Sequence, residues 1–125
     1  MRKIIFTEKA PKAIGPYSQA VEANGTLYIS GQIPIDPATG KLVEGDITKT
    51  TEQVFKNISA ILEEAGYTFQ NVVKYTCLLK NMDNFAAMNE VCKKYYPENP
   101  PARAAYEVAK LPMGVDIEIE TIAMM

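Results

Sequence analysis

The stretch SQAVEANGTLYIS, residues 18–30, decides the fold because it reads as two strands joined by a tight turn. Asn24-Gly25 lies at its centre, and both central residues of a type I′ turn need positive φ, which this pair tolerates. The flanking segments, residues 18–23 and 26–30, therefore predict an antiparallel hairpin. A short strand candidate over residues 4–7 precedes it.

Two stretches with helical periodicity follow the hairpin. Over residues 46–65 the apolar side chains recur every three to four positions, which predicts an amphipathic helix. Asp46 is a plausible N-cap, and Gly66 supplies the stop. A second helix is predicted over residues 83–95, with Pro97 just beyond its end.

The remaining segments predict strands and a turn. Residues 36–40 read as a turn, and residues 102–109 and 115–123 as the closing strands. Residues 72–80 alternate, with four apolar side chains on one side: Val73, Tyr75, Cys77 and Leu79. The order βββαβαββ predicts a single domain over residues 1–125, an α+β sandwich whose mixed sheet of about six strands has two helices on one face. The other face keeps apolar residues, which predicts a subunit interface.

The composition limits the classes of function. The 125 residues are 47% hydrophobic and 22% charged, which is typical of a globular protein. The sequence includes no apolar run of membrane-spanning length, and it does not begin like a signal peptide. We therefore expect a cytoplasmic location. A net charge of −2 with scattered lysines argues against nucleic acid as a partner. The chain has no histidine, which removes histidine-based nucleophilic catalysis and the usual zinc ligands. We therefore expect neither metal nor cofactor, and we expect the two cysteines, Cys77 and Cys92, to be buried core residues.

Arg103 is the only arginine within the body of the chain, in a stretch of small and strand-forming residues. A guanidinium there costs desolvation unless an anion meets its fork of donors. Glu118 and Glu120 share a face of the last strand, which we expect to lie beside the strand of Arg103. A structural ion pair and a clamp for a ligand carboxylate are both open, and the small Ala105 leaves room for the second.

Four other residues have a polar group near a strand end or a helix surface. Tyr17 follows Gly15-Pro16 and is either a packing aromatic or a ligand contact. Ser30-Gly31 is either a simple turn or a place where backbone donors approach a ligand. Asn89 faces away from the apolar stripe of its helix, where a solvated residue is common.

Several colinear blocks resemble the RidA/YjgF family and spread over almost the whole chain. They are IGPYSQA (14–20), ISGQIP (29–34), NFAAMN (84–89), PAR (101–103), LP (111–112) and VDIEIETIA (115–123). The resemblance implies a chorismate-mutase-like fold and a homotrimer with clefts between subunits. It also implies a deaminase that hydrolyses reactive enamines and imines, released by pyridoxal-phosphate dehydratases, to 2-oxo acids and ammonia.

The same resemblance implies roles for individual residues. Arg103 matches the arginine that holds the substrate carboxylate, and Glu118 matches the residue that positions the hydrolytic water. Ala105 departs from the cysteine found in many members, so a thiol-dependent activity is not expected. Other positions of the family's cleft are matched in this sequence by Tyr17, Ser30, Gly31 and Asn89.

Two alternative functions are open. The same cleft could sense small carboxylates as a regulatory module without catalysis. Family members have also been described as ribonucleases and translation inhibitors, which the acidic balance and missing histidine disfavour.

Overall fold

The computed structural model describes residues 1–125, and its core is a mixed six-stranded sheet with two helices on one face. The helices are α1 (Ile47–Ala65) and α2 (Phe85–Tyr95). The strands are β1 (Arg2–Ile5), β2 (Ala20–Ala23), β3 (Thr26–Gln32), β4 (Ile35–Asp36), β5 (Lys41–Leu42), β6 (Val72–Leu79), β7 (Ala102–Glu107) and β8 (Ile117–Met124). The predicted α+β class and element order are confirmed, and β4 and β5 form a separate small hairpin where only a turn was predicted.

The hairpin of β2 and β3 forms as its turn residues predict. Asn24 and Gly25 adopt φ of 52° and 76°, and Ala23 pairs with Thr26 across the turn. These positive values at both central positions belong to a type I′ turn. The strand bounds differ from the prediction, because β1 covers Arg2–Ile5 rather than residues 4–7.

Both helices lie close to their predicted positions. The Asp46 side chain accepts a hydrogen bond from the Lys49 backbone N–H at 3.0 Å, and Gly66 ends α1. The α2 helix begins at Phe85, after a short 3₁₀ turn, rather than at residue 83. The apolar stripe of α1 is buried against the sheet and α2, with the largest share from Val54, Phe55, Ile58, Ile61 and Leu62.

The order of strands in the sheet is β1-β2-β3-β8-β6-β7. All neighbouring pairs are antiparallel except β6 and β7, which are parallel. A parallel pair needs a long crossover, and α2 supplies it between these two strands. The last strand, β8, therefore lies inside the sheet between β3 and β6, and β7 forms an edge.

One predicted alternation is wrong at its first residue. Val73 is exposed rather than buried with Tyr75, because the pairing of β6 with β8 shifts register between Val72 and Lys74. A bulge of this kind inserts one extra residue and moves it to the other face. Val72 takes the buried position instead.

The face of the sheet opposite the helices carries exposed apolar side chains. Tyr28, Val73 and Tyr106 are 51%, 43% and 51% exposed. This face agrees with the apolar open face predicted from the sequence. Neither helix has the length and hydropathy needed to cross a membrane.

Candidate active site

Arg103 lies on the edge strand β7 and points to the helix side of the sheet. Its Nη1 donates a hydrogen bond to Asn89 Oδ1 of α2 at 2.6 Å, and its guanidinium carbon lies 5.2 Å from the centre of the Phe85 ring. The ion pairs of the chain join other residues, Lys93 with Glu90 and Lys94 with Glu52. The guanidinium is thus held by an amide and an aromatic ring, and no carboxylate of the chain neutralises it.

The surroundings of Arg103 keep it charged. Burial works to lower the pKa of Arg103, but Tyr75 and the two nearby thiols outweigh burial and raise the pKa above its ordinary value. Cys77 and Cys92 are free and buried, as predicted. Arg103 therefore offers a permanent cation with unused donors.

A cavity of about 370 Å³ opens beside the Arg103 guanidinium. Its volume lies in the range of small-molecule sites. The residues that line it are Tyr75, Asn89, Cys92, Lys93, Tyr96, Pro100, Pro101 and Arg103.

Ala105 lies two residues beyond Arg103 on the same face of β7, where it is partly buried. It pairs with Cys77 of β6, as Arg103 pairs with Tyr75. Its methyl group adds little bulk next to the guanidinium. We call Arg103, Asn89, Ala105 and the cavity beside them the Arg103 half-site.

Tyr17 and Ser30 lie together elsewhere, along a cavity of about 620 Å³ next to β2 and β3. Ser30 Oγ donates a hydrogen bond to the Ser18 carbonyl at 2.6 Å, which ties the segment before β2 to β3. The Tyr17 hydroxyl accepts a long hydrogen bond from the Ile14 backbone N–H at 3.4 Å, and the ring stays half exposed. Tyr17 also borders a smaller cavity that Gly31 lines.

Gly31 lies directly against the Glu118 carboxylate. A Cβ at Gly31 would overlap Glu118 Oε2, so the close approach depends on glycine having no side chain. Burial raises the pKa of Glu118, and the neighbouring Glu120 adds to that increase. We call Tyr17, Ser30, Gly31 and Glu118 the Tyr17 half-site.

The two half-sites lie on opposite faces of the sheet, which corrects one expectation from the sequence. Arg103 and Glu118 were expected on neighbouring strands, but β6 separates β7 from β8. Arg103 is in register with Tyr75, whereas Glu118 is in register with Leu78, three positions along β6. Because the number of positions is odd, the two side chains point to opposite faces. A cross-strand ion pair between them is therefore impossible within one chain.

The chain matches the model of a known protein family over most of its length. The family model described as endoribonuclease L-PSP matches residues 7–125. The chain belongs to this family, the RidA/YjgF family. All residues of both half-sites lie within the matched range.

Two curated relatives and one solved structure show how close the similarity is. A RutC family protein of Pyrococcus horikoshii is 58% identical over 98% of each chain. The human 2-iminobutanoate/2-iminopropanoate deaminase is 52% identical over 99% of this chain and 90% of the human protein. The crystal structure of a Rid family protein of unknown function from Yersinia pestis is 49% identical, covers 100% of both chains and has a TM-score of 0.96. The expected Rid-family fold is thereby confirmed.

Sequence reasoning missed three residues around the Arg103 guanidinium: Tyr75, Phe85 and Tyr96. Tyr75 was assigned only to the apolar side of its strand, Phe85 was noted only within a block that resembles the family, and Tyr96 follows the predicted end of a helix. The parallel pairing of β6 with β7, which the sequence did not indicate, brings Tyr75 beside Arg103.

Proposed function

We propose that this protein is a deaminase that hydrolyses small 2-imino acids and their enamine tautomers to 2-oxo acids and ammonia. The substrates are 2-iminopropanoate and 2-iminobutanoate. The observation that carries the proposal is the Arg103 guanidinium, which Asn89 and Phe85 hold beside a cavity without any carboxylate partner from the chain. The similarity to deaminases of the same family supports it.

Arg103 binds the substrate carboxylate in this mechanism. Its planar fork matches the two oxygens of a carboxylate, and the pair is stronger than a neutral hydrogen bond. Asn89 occupies only one of the five N–H donors, which leaves enough for a bidentate pair. Fixing the carboxylate also fixes the adjacent imine carbon, which lowers the barrier through positioning.

Glu118 activates the water in this mechanism. A base is most effective when its pKa lies nearer the working pH, and burial moves the pKa of Glu118 in that direction. The Glu118 carboxylate takes a proton from water as the water oxygen bonds to the imine carbon, and it passes this proton to the imine nitrogen. In the tetrahedral adduct the same carboxylate takes the hydroxyl proton and returns it to the amine nitrogen as the C–N bond breaks. The C=O bond forms and ammonia leaves, so one water is consumed for each ammonia released.

The two half-sites require more than one copy of the chain to form one site. Arg103 and Glu118 lie on opposite faces of the sheet, so a second copy must bring its Tyr17 half-site to the Arg103 half-site of the first. Contacts between two different surfaces close into a ring when the rotation that relates the copies closes. We propose a homotrimer with three such clefts, in which the open apolar face of each sheet is covered.

The substrates must come from an enzyme that eliminates water from an amino acid. Pyridoxal-phosphate dehydratases that act on serine or threonine release such enamines and imines, and the protein acts on them after release. A cytoplasmic location agrees with this supply and remains a prediction from the sequence.

Regulatory carboxylate binding without catalysis is the second candidate. It is favoured by the separation of Arg103 from Glu118, because Arg103 can bind a carboxylate by itself while hydrolysis also needs Glu118. The ribonuclease function named by the family description has no comparable support from either half-site.

A coupled assay separates these candidates. A dehydratase converts threonine to 2-iminobutanoate, and the rate of 2-oxobutanoate formation is followed with and without the protein. Faster formation supports the deaminase. Binding of 2-oxobutanoate without any acceleration would favour the regulatory module, and cleavage of RNA that is lost in Arg103→Ala would favour the ribonuclease.

A further inference from the structure

The Arg103 side chain must be held in one orientation before it can bind a carboxylate well. It leaves the edge strand β7 as an exposed side chain, and its Nη1 donates to Asn89 Oδ1 at 2.6 Å. One hydrogen bond fixes one nitrogen and leaves the plane of the guanidinium free to turn about it. A side chain that is ordered only when the ligand binds lowers affinity, whereas one that is already fixed does not. The plane of the guanidinium therefore needs a second contact.

The Phe85 ring supplies a contact of this kind. The Arg103 guanidinium carbon lies over the ring, 5.2 Å from its centre, which is within the distance at which an aromatic face attracts a cation. The attraction acts through the face of the ring and uses none of the N–H donors of the guanidinium. Phe85 thus orients the cation and leaves the donors to Asn89 and to a ligand.

Phe85 has a fixed position relative to the strand that carries Arg103. It is the first residue of α2, its backbone N–H donates to the Met82 carbonyl, and its half-buried side chain packs against the core. The Met82 backbone N–H donates in turn to Glu107 Oε1 at 3.0 Å, and Glu107 is the last residue of β7. The turn before Phe85 is therefore tied to the same strand as the guanidinium.

We infer that Phe85 is a positioning residue, whose ring holds the Arg103 guanidinium in the orientation that receives a substrate carboxylate. Phe85 is not among the residues that line the Arg103 cavity, so it acts through Arg103 and not by touching the ligand. The inference rests on the proposed function in one respect, the binding of a carboxylate by Arg103. It gives a role to a residue of the block NFAAMN (84–89) that neither half-site includes.

The test compares Phe85→Leu with Phe69→Leu. Both variants replace a half-buried ring that packs against the same core by an aliphatic side chain. The Phe69 ring contacts other rings and not a cation, with centroids 6.1 Å from Phe55 and 5.2 Å from Tyr95. Phe85→Tyr keeps an aromatic face and is the conservative variant. Calorimetry measures the binding of 2-oxobutanoate, a stable ligand, and the melting temperature is measured without ligand.

A second measurement follows the motion of the guanidinium itself. Arg2 is the only other arginine, so comparing the wild type with Arg103→Lys assigns the Arg103 Nε–H signal in the NMR spectrum of the isotope-labelled protein. The order parameter of this N–H bond reports its fast motion. A merely structural role of Phe85 would lower the melting temperature without making the Arg103 guanidinium more mobile.

We expect Phe85→Leu to bind 2-oxobutanoate about twofold to fivefold more weakly, as for the loss of a cation–π contact at an exposed site. The order parameter of the Arg103 Nε–H bond should fall in the same variant. Phe69→Leu should change neither quantity, although both leucine variants should melt at a lower temperature because packing is lost. Phe85→Tyr should match the wild type in affinity and in the order of the guanidinium.

Unchanged affinity in Phe85→Leu would overturn the inference, and so would weaker affinity without any loss of Arg103 order. An equal loss of affinity in Phe69→Leu, or a wild type that does not bind 2-oxobutanoate, would overturn it as well.

If Phe85→Leu fails to fold, a crystal structure of the wild type with 2-oxobutanoate decides. A guanidinium that binds the carboxylate while it stays over the Phe85 ring supports the inference, and one that has left the ring refutes it. A wild type that shows the expected Phe85 effects on binding but does not accelerate imine hydrolysis would refute the proposed function alone.

Discussion

Replacing Arg103 with lysine keeps the positive charge and removes the planar fork of donors. In the structure the fork is oriented by Asn89, 2.6 Å from Nη1, and by the Phe85 ring, 5.2 Å from the guanidinium carbon. A lysine ammonium is a point charge on a flexible stem and cannot pair with a carboxylate in the same bidentate way. We expect Arg103→Lys to lose most imine deamination while the fold and the oligomer stay intact.

The magnitude follows from the contacts that are lost. A hydrogen bond to a charged group contributes about 1.5–3 kcal/mol, so losing one of the two hydrogen bonds to the substrate carboxylate should lower kcat/KM roughly 10-fold to 150-fold. The free energy of unfolding should change by only about 0.5 kcal/mol, because Arg103 is exposed on an edge strand.

The assay couples a threonine dehydratase to lactate dehydrogenase and NADH, so that 2-oxobutanoate formation is followed optically. Lys93→Met is the matched control, because Lys93 is a cation at the rim of the same cavity that is paired with Glu90 at 2.8 Å. We expect it to change kcat/KM less than threefold. The bidentate clamp is refuted if Arg103→Lys keeps half of the wild-type acceleration, or if Lys93→Met loses as much kcat/KM as Arg103→Lys does. Either result would mean that nonspecific charge attraction explains the activity.

Three other changes test the rest of the proposal. Glu118→Gln should lower kcat about 10²-fold to 10⁴-fold and abolish the rise of kcat with pH, with little effect on 2-oxobutanoate binding. Burial raises the pKa of Glu118, so the folded wild-type protein loses stability as the pH rises through that pKa. The melting temperature of Glu118→Gln should therefore exceed that of the wild type at pH 7 but not at pH 4. An equal difference in melting temperature at both pH values would contradict this. Gly31→Ala should displace the flexible Glu118 side chain and lower kcat with little change in melting temperature, whereas full activity would show that the contact is unimportant. Val73→Asp should give monomers in light scattering and no deamination, and an active monomer would refute the composite cleft.

Local features of the fold were predictable because their causes are local. Asn24-Gly25 specifies a type I′ turn, and Asp46 and Gly66 mark the ends of α1. The order of strands was not predictable from these signals. Placing β6 between β7 and β8 depends on pairings between segments far apart in the chain, which no turn residue or period encodes.

The sequence suggested the candidate site residues but not their arrangement, and their roles stay predictions. Alternation correctly placed Arg103 and Ala105 on one face, and the family resemblance supplied Glu118. Only the register of β6 shows that Arg103 and Glu118 point away from each other within a chain. Tyr96 gave no periodic signal, because it lies just beyond α2 and reaches the wall of the Arg103 cavity only through tertiary packing.

The interior position of β8 has a consequence for synthesis on the ribosome. Until residues 117–124 leave the exit tunnel, β3 and β6 have no partner between them, and the nascent chain holds two separate halves of a sheet. Unpaired strand edges of this kind can template aggregation, and long-range pairing is slow. We therefore expect nascent chains arrested before residue 117 to need chaperone protection and to gain protease resistance only when β8 is released.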